Sequence, residues 1–330
     1  MASHSFIHIE EFEIKSDYSE LNNLLTPFVI RGGVKNWKAI KSWSKNYFIK
    51  SAGDYSVNIK PKADYVDGKS MREIEEQKTV QLKDAMELIF DSDSPHLSYI
   101  RESDLLSRCS SLAKDIDEPI YLADSKPHAF PRTGSFDPKI WIGPGNTVAQ
   151  LHWDPEHNFY AQVVGRKKVI ILSPNELPHT YPNIFSIAEL KNKTFFAKNK
   201  NLLLKLQLCL EKFLHAEKGG QQKEFREQLK KELTKSEVSL LCDFLLDVNN
   251  CDVNAETPDY LLHPQFSETK RYEVILESGD LLFIPYFWYH YFRSLEPSIS
   301  VNWFFLPENL SDTIGEGQQL EILLNHLTPY

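Results

Sequence analysis

The sequence predicts a mainly β fold with α-helical additions, in which short antiparallel strands form a closed barrel or a sandwich. Two blocks, 118–184 and 271–305, consist of short apolar segments separated by turn signals, which is typical of such folds. The segment between them, roughly 185–257, instead carries apolar stripes at helical spacing with charged residues on the other faces. The chain of 330 residues is 42% hydrophobic and 25% charged, so we expect a folded protein.

The first third predicts an α/β region, 1–117, that packs on the barrel. Apolar residues recur there either in short runs bounded by glycine and proline or at helical spacing. The predicted strands are 27–32, 55–60 and 96–101, and the predicted helices are 36–53 and 79–91. Gly53 is expected to end the first helix.

The rest of the chain predicts a barrel domain, 118–307, interrupted by a helical insertion at 185–257. The remaining residues, 308–330, contain an amphipathic pattern at 317–327 that indicates a C-terminal helix. The pair Gly165-Arg166 fits a two-residue hairpin loop, because the first position tolerates a positive φ when it is glycine.

Charge and cysteine content narrow the function classes. The net charge of -9 disfavours nucleic acid as a default partner, although RNA stays possible through a local basic patch. No run approaches the ~18 apolar residues of a membrane span, and the N-terminal residues do not resemble a secretory signal. The cysteines are scattered, which predicts free thiols and a cytoplasmic or nuclear protein; they are Cys109, Cys209, Cys242 and Cys251.

One motif, His152-Trp-Asp154, is a candidate for metal binding. In a strand, residues two apart share a face, so an imidazole and a carboxylate would lie side by side. The general pattern is a histidine followed two residues later by an aspartate or a glutamate. With 11 histidines and 46 acidic residues in 330 positions, chance predicts about 1.5 occurrences, and the chain has three, beginning at His8, His152 and His215. Only His152 lies in a β block. A hydrogen-bonded core histidine is the alternative at this position.

The second β block supplies a third candidate ligand, His290, inside the aromatic run YFWYHYF. This histidine is either a packed core residue or a ligand in an apolar cage. Two histidines and one carboxylate form the triad that leaves open positions on Fe(II). Lys167 opens the strand KKVIILS and shares a face with Val169 and Ile171 by alternation. An interior lysine needs an anionic partner, which a dicarboxylate cosubstrate would supply; the alternative is a solvated lysine, as we expect for Lys168.

In this order the segments HWD, NFYAQVVGRKKVIILSP, GDLLFIPYFWYH and SVNWFF resemble the JmjC-domain oxygenases. The similarity is to the small cupin-like hydroxylases, a group with JmjC domain-containing proteins 5 and 7, the asparaginyl hydroxylase that inhibits hypoxia-inducible factor, and the tRNA wybutosine-synthesising hydroxylase. It covers about 27–60 and 119–305 without the insertion. The implied fold is a double-stranded β-helix of eight strands, the cupin jelly roll, and the implied cofactors are Fe(II) and, as cosubstrate, 2-oxoglutarate.

Carried over residue by residue, the resemblance implies a set of site residues. The iron ligands would be His152, Asp154 and His290, called the triad below. Lys167 would hold the distal carboxylate of 2-oxoglutarate. The other implied cosubstrate or near-iron residues are Tyr121, which would hydrogen-bond the same carboxylate, together with Asn158 and Asn302.

One position departs from the family pattern. Relatives usually carry serine or threonine three residues before the first iron ligand, as a hydroxyl donor to 2-oxoglutarate, and this chain has Ala149. Thr147 is on the same face by alternation, and a bulge would let it substitute. We expect a weakened cosubstrate contact.

The implied reaction is hydroxylation of a protein side chain (Arg, Lys, Asn or His) with release of succinate and CO2. The alternatives are a tRNA-modifying hydroxylase of the wybutosine type, a lysine demethylase, and a non-catalytic metal-binding scaffold. A protein or peptide is therefore the expected partner. The leucine-rich stripes of the insertion and of the C-terminal helix also predict a homodimer, with coverage of a monomeric barrel as the alternative.

Overall fold

A computed structural model describes most of the barrel and much of the N-terminal region. The described residues are 7–12, 26–61, 65–66, 69–70, 77–91, 95–118, 125–126, 137–154, 156–181, 234, 250–251, 253–285 and 288–307. Tyr121, the predicted C-terminal helix and nearly all of the predicted insertion lie outside these residues, so the proposed dimer contact stays a prediction.

Eight antiparallel strands form the barrel. They are β10 (Lys139–Gly143), β11 (Val148–His152), β12 (His157–Val164), β13 (Lys167–Leu172), β14 (Arg271–Leu276), β15 (Leu281–Ile284), β16 (Tyr289–Ser294) and β17 (Ser298–Pro307). They form two facing four-stranded layers, ordered β14-β13-β16-β11 and β15-β12-β17-β10. This is the predicted cupin jelly roll, and the fold prediction is confirmed. Gly165 has a φ of 73° in the β12–β13 hairpin, as its loop requires.

The N-terminal region extends both layers and covers one of them. Its strands are β1 (Ile7–His8), β2 (Glu10–Phe12), β3 (Phe28–Ile30), β4 (Ser56–Pro61), β5 (Tyr65–Val66), β6 (Lys69–Ser70), β7 (Lys78–Gln81) and β8 (Leu97–Ser103), followed by β9 (Ser125–Lys126) on β17. Its helices are α1 (Lys38–Ser42), α2 (Lys45–Ala52), α3 (Leu82–Phe90), α4 (Leu105–Arg108) and α5 (Ser110–Ala113). β1 joins the β14 layer, and β2, β3, β8, β4 and β7 join the larger layer.

Two of the predicted N-terminal helices need correction. The helix predicted at 36–53 is divided into α1 and α2, because Ser44 is extended and its side chain caps α2 by accepting from the Tyr47 amide. The helix predicted at 79–91 begins only at Leu82, because the residues before it pair with β4 as strand β7. At this sheet edge, strand pairing outweighs the local helix propensity of these residues.

Two apolar cores follow from this layering. The first lies between the larger layer and the N-terminal helices and includes Trp37, Phe48, Met86, Phe159 and Trp303. The second fills the barrel interior and includes residues of both layers: Ala149, Tyr160, Val169, Val274, Leu282 and Phe292. The strand β12 is buried on both faces: Phe159, Ala161 and Val163 belong to the first core, and Tyr160 belongs to the second.

Cys109 and Cys251 are buried and not in disulfides, as predicted, and the other two cysteines lie outside the described residues. Within the part of the chain that the structure describes, no helix is long and apolar enough to cross a membrane.

Candidate metal centre

The triad converges at one end of the barrel interior. Nε2 of His290 lies 3.3 Å from Oδ2 of Asp154, and Nε2 of His152 lies 3.9 Å from the same oxygen. The two imidazole rings have centroids 4.3 Å apart. One donor atom from each residue lies within 4.8 Å of the others, so the three could hold one metal ion. The side chains are 14%, 20% and 3% exposed for His152, Asp154 and His290, so the centre opens on the His152–Asp154 side.

Backbone carbonyls orient both imidazoles. Nδ1 of His152 lies 2.6 Å from the carbonyl oxygen of Gln150, and Nδ1 of His290 lies 3.0 Å from that of Trp288. A carbonyl only accepts, so each ring carries its proton on Nδ1 and presents the Nε2 lone pair to the centre. Metal-binding histidines are commonly fixed in this way.

A β-bulge in β11 places His152 on the interior face. Ala149 pairs with Phe292 and His152 pairs with His290, so three steps on β11 match two on β16. In a regular strand, residues three apart point to opposite faces; the extra residue brings both side chains to the same face. The bulge considered above was one beside Thr147, whereas the bulge of the structure lies further along the strand, between Ala149 and His152.

The neighbouring groups keep the donors in metal-binding states. Burial and then His290 lower the pKa of His152 to about 3, so its imidazole is neutral at pH 7. Burial by itself raises the pKa of Asp154, but the neighbouring His290, His152 and Arg101 outweigh it, and the pKa is lowered to about 2. Neutral imidazole and ionised carboxylate are the forms that bind a divalent cation.

Asp154 reaches the centre from outside the strand. β11 ends at His152, so the expectation that the H-x-D residues share one face of a strand is wrong for the second residue. The loop after the strand nevertheless brings the carboxylate to both imidazoles.

Lys167 points into the barrel, as alternation predicted. Its side chain is buried, and Nζ donates a 2.7 Å hydrogen bond to the hydroxyl of Tyr160. Among the described residues no carboxylate lies within ion-pair distance of it, and burial lowers its pKa to about 7. Lys168 points outward and pairs with Glu256 at 3.4 Å and with Glu273 at 2.9 Å. The two lysines therefore lie on opposite faces, as predicted, but Lys168 is only 19% exposed and ion-paired, whereas a solvated lysine was expected.

The other predicted site residues lie in different surroundings. Asn302 donates to Asn158 at 3.0 Å and accepts from the Trp141 indole at 2.7 Å, which forms one buried polar row across the larger layer. Thr147 is buried, but its hydroxyl donates to the carbonyl of Pro144 at 2.6 Å. Its proton is therefore committed to the turn before β11. Tyr121 lies outside the described residues.

Two residues near the site were missed by the sequence analysis. Tyr160 shares the interior face with Asn158, and the period of two could have found it. Arg101 lies 5.9 Å from the Trp141 ring, and its charge contributes to the low pKa values of His152 and Asp154. Arg101 belongs to a bulge of β8 whose next residue, Glu102, has a φ of 49°, and no sequence signal predicted it.

The last residues of the predicted insertion support β11. Asn250 forms an antiparallel bridge with His152, and the amide of Cys251 donates to the carbonyl of Leu151 at 2.9 Å. The side-chain amide of Gln150 donates to the carbonyl of Val253 at 2.9 Å. These residues follow the last helix predicted for the insertion, and they contact the strand that carries the first histidine.

A model of the cupin-like domain family matches residues 16–311. The chain belongs to this family. The resemblance to JmjC proteins is confirmed as well, because curated JmjC proteins are similar over most of the chain. Jumonji C domain-containing protein 5 of Drosophila melanogaster is 23% identical over 84% of this chain and 53% of its own length.

Two further relatives carry more specific names. Lysine-specific demethylase 8 of Xenopus tropicalis is 26% identical over 84% of this chain and 47% of its own length. tRNA wybutosine-synthesizing protein 5 of Gallus gallus is 24% identical over 87% of this chain and 74% of its own length. The chain thus spans about half the length of the JmjC relatives it matches.

Proposed function

We propose that this cupin-like chain is an Fe(II)- and 2-oxoglutarate-dependent oxygenase that hydroxylates a side chain of a protein substrate. The observation that carries the proposal is the convergence of the triad, with both Nε2 lone pairs and one carboxylate directed to a single point. This donor set is typical of non-haem Fe(II) oxygenases, because three ligands leave positions for substrates.

Each residue of the triad would bind the metal through one donor group. His152 and His290 would bind the metal through Nε2, and Asp154 through its carboxylate. When bound, Fe(II) would supply the activation of O2 that couples decarboxylation of 2-oxoglutarate to oxidation of the substrate. The buried aromatic residues next to His290, Trp288 and Phe292, would keep water away from the reacting atoms.

Lys167 would bind the distal carboxylate of 2-oxoglutarate. Ile171 is the β13 residue opposite His290, and Lys167 lies four residues away on the same interior face, about 13 Å along a strand. A lysine side chain and a five-carbon dicarboxylate together span such a distance. Asn158 and Asn302 would contribute amide groups to the same pocket, and Tyr121 keeps its proposed role as a hydroxyl donor. Thr147 does not, because its hydroxyl proton is donated to the carbonyl of Pro144.

A protein substrate is favoured over RNA by the net charge of -9 and by the relatives named JmjC proteins or lysine-specific demethylase. A tRNA substrate is the second candidate, because one relative is named for wybutosine synthesis. Lysine demethylation would use the same centre, since hydroxylation of an N-methyl group leads to its loss.

The proposal predicts that the purified chain with Fe(II) forms succinate from 2-oxoglutarate, and that one class of substrate increases the rate. Succinate is measured by mass spectrometry with a library of protein peptides in one arm and total tRNA in the other. A peptide gain of one oxygen atom identifies hydroxylation. If only tRNA increases the rate, the substrate is tRNA rather than protein. If wild type forms no more succinate than Asp154→Ala in either arm, the non-catalytic scaffold is favoured.

A second prediction concerns pH. Burial lowers the pKa of Lys167 to about 7, and a bound carboxylate would favour the ammonium form. Above pH 7, binding therefore takes up a proton, and we expect the Kd for 2-oxoglutarate to rise by up to about tenfold per pH unit. Tyr160, the titratable side chain that hydrogen-bonds Lys167, stays neutral because burial raises its pKa.

The measurement is calorimetric titration of 2-oxoglutarate into the Mn(II)-loaded protein from about pH 6.5 to 8.5, in buffers of different ionisation enthalpy to count protons. Lys167→Arg is the control, because arginine keeps its charge over this range and should flatten the profile. A wild-type Kd that is constant with pH, without proton uptake, would contradict the prediction.

A further inference from the structure

The interior lysine is held by a tyrosine that the family pattern does not explain. Tyr160 and Lys167 are both buried, and the ammonium donates to the tyrosine oxygen at 2.7 Å. Nζ also lies 5.4 Å from the centroid of the same ring. In the part of the chain that the structure describes, this hydroxyl is the one side-chain hydrogen-bond partner of Lys167. Tyr160 therefore determines the position of the Lys167 ammonium.

Hydrogen bonds also fix the polar groups beside the tyrosine. The side-chain nitrogen of Gln162 donates to the carbonyls of Val164 and Gly165, at 2.8 and 3.0 Å. This fixes the amide, so its oxygen is the acceptor for the Ser300 hydroxyl at 2.8 Å.

The Ser300 side chain also contacts the Tyr160 hydroxyl. The tyrosine oxygen accepts from the Lys167 ammonium. An acceptor in this place stabilises the charged form of a buried amine, which otherwise loses its proton through desolvation.

We propose that Tyr160 is a positioning residue that holds the Lys167 ammonium in place to bind the distal carboxylate of 2-oxoglutarate. The inference rests on the function proposed above and adds a residue to it. One of the three ammonium hydrogens is used by Tyr160, and two stay available for the carboxylate. A fixed ammonium loses less side-chain freedom on binding than a mobile one.

The position of Ala149 makes the inference testable by rescue. Ala149 pairs with Phe292, whose ring centroid lies 4.6 Å from that of Tyr160, and all three belong to the interior core. A serine at 149 would add a hydroxyl to the same pocket without a large change in volume. We expect Ala149→Ser to compensate in part for loss of the tyrosine hydroxyl.

The experiment compares Tyr160→Phe with wild type in the full chain loaded with Mn(II). Phenylalanine keeps the ring and removes only the oxygen. Calorimetry measures the Kd of 2-oxoglutarate and of 2-oxovalerate, which has a methyl group in place of the distal carboxylate. We expect Tyr160→Phe to raise the first Kd roughly tenfold and to leave the second unchanged. Ala149→Ser in the Tyr160→Phe background should lower the 2-oxoglutarate Kd again by about threefold or more.

The outcomes separate this inference from the proposed function. An equal rise of both Kd values, or no change in either, would overturn the positioning role while the proposed function stands. A wild-type protein that binds the two acids equally would instead remove the carboxylate site, and with it both proposals. Thermal unfolding of each variant checks that the fold is kept.

Discussion

Replacement of any one triad residue by alanine is expected to abolish 2-oxoglutarate turnover and to weaken metal binding strongly. Each residue supplies one of three donors that lie within 4.8 Å of one another, and the chain offers no fourth donor among the described residues there. Loss of an outer partner of a metal ligand alone typically costs 10–100-fold in affinity, so loss of a ligand should cost more than about 100-fold. Competition with a fluorescent chelator measures the affinity for Fe(II) or Mn(II), and succinate release measures turnover.

A matched control is His96→Ala, which removes an exposed histidine outside the centre and should change neither quantity. His290 needs an additional check, because it is buried and its replacement leaves space in the core. His290→Gln keeps most of the volume and should lose the metal while its far-ultraviolet circular dichroism stays that of wild type. A triad variant that binds metal as tightly as wild type would remove that residue from the centre.

The barrel could be predicted from the sequence because its strands are short, apolar and separated by turns that fix the register. Gly165, with its positive φ, sets the β12–β13 hairpin, and the register then carries Lys167 to the interior face and Lys168 to the exterior. The same alternation places Asn158 and Tyr160 together. These features depend on neighbours in sequence, which is where pattern reasoning is strongest.

Other features depend on contacts that no local pattern records. The bulge between Ala149 and His152 is visible only once β11 is paired with β16. The sequence of β7 predicts the start of a helix, and only its pairing with β4 shows that it is a strand. The bridge between Asn250 and His152 joins residues almost 100 positions apart. Tertiary pairing decides such cases, because an edge strand needs partners for its amide and carbonyl groups.

The second large effect concerns the two adjacent lysines. Lys167→Ala is expected to raise the Kd for 2-oxoglutarate far more than Lys168→Ala. The interior lysine would make a charge-assisted contact in a buried site, whose loss costs on the order of 1.5–3 kcal/mol, or roughly ten- to a hundredfold. The exterior lysine pairs with Glu256 and Glu273 on the other face, and its loss should affect stability by about 1 kcal/mol or less.

Titration of 2-oxoglutarate into each Mn(II)-loaded variant measures the difference, and Lys167→Met tests the charge with less change in volume. Because Tyr160 loses its ammonium partner in both Lys167 variants, thermal unfolding is measured alongside. The Kd of 2-oxovalerate should be the same in all three variants and in wild type, since that acid has no distal carboxylate to bind. Equal effects of Lys167→Ala and Lys168→Ala on 2-oxoglutarate would contradict the assignment, because the two side chains lie on opposite faces of β13 and only one reaches the interior.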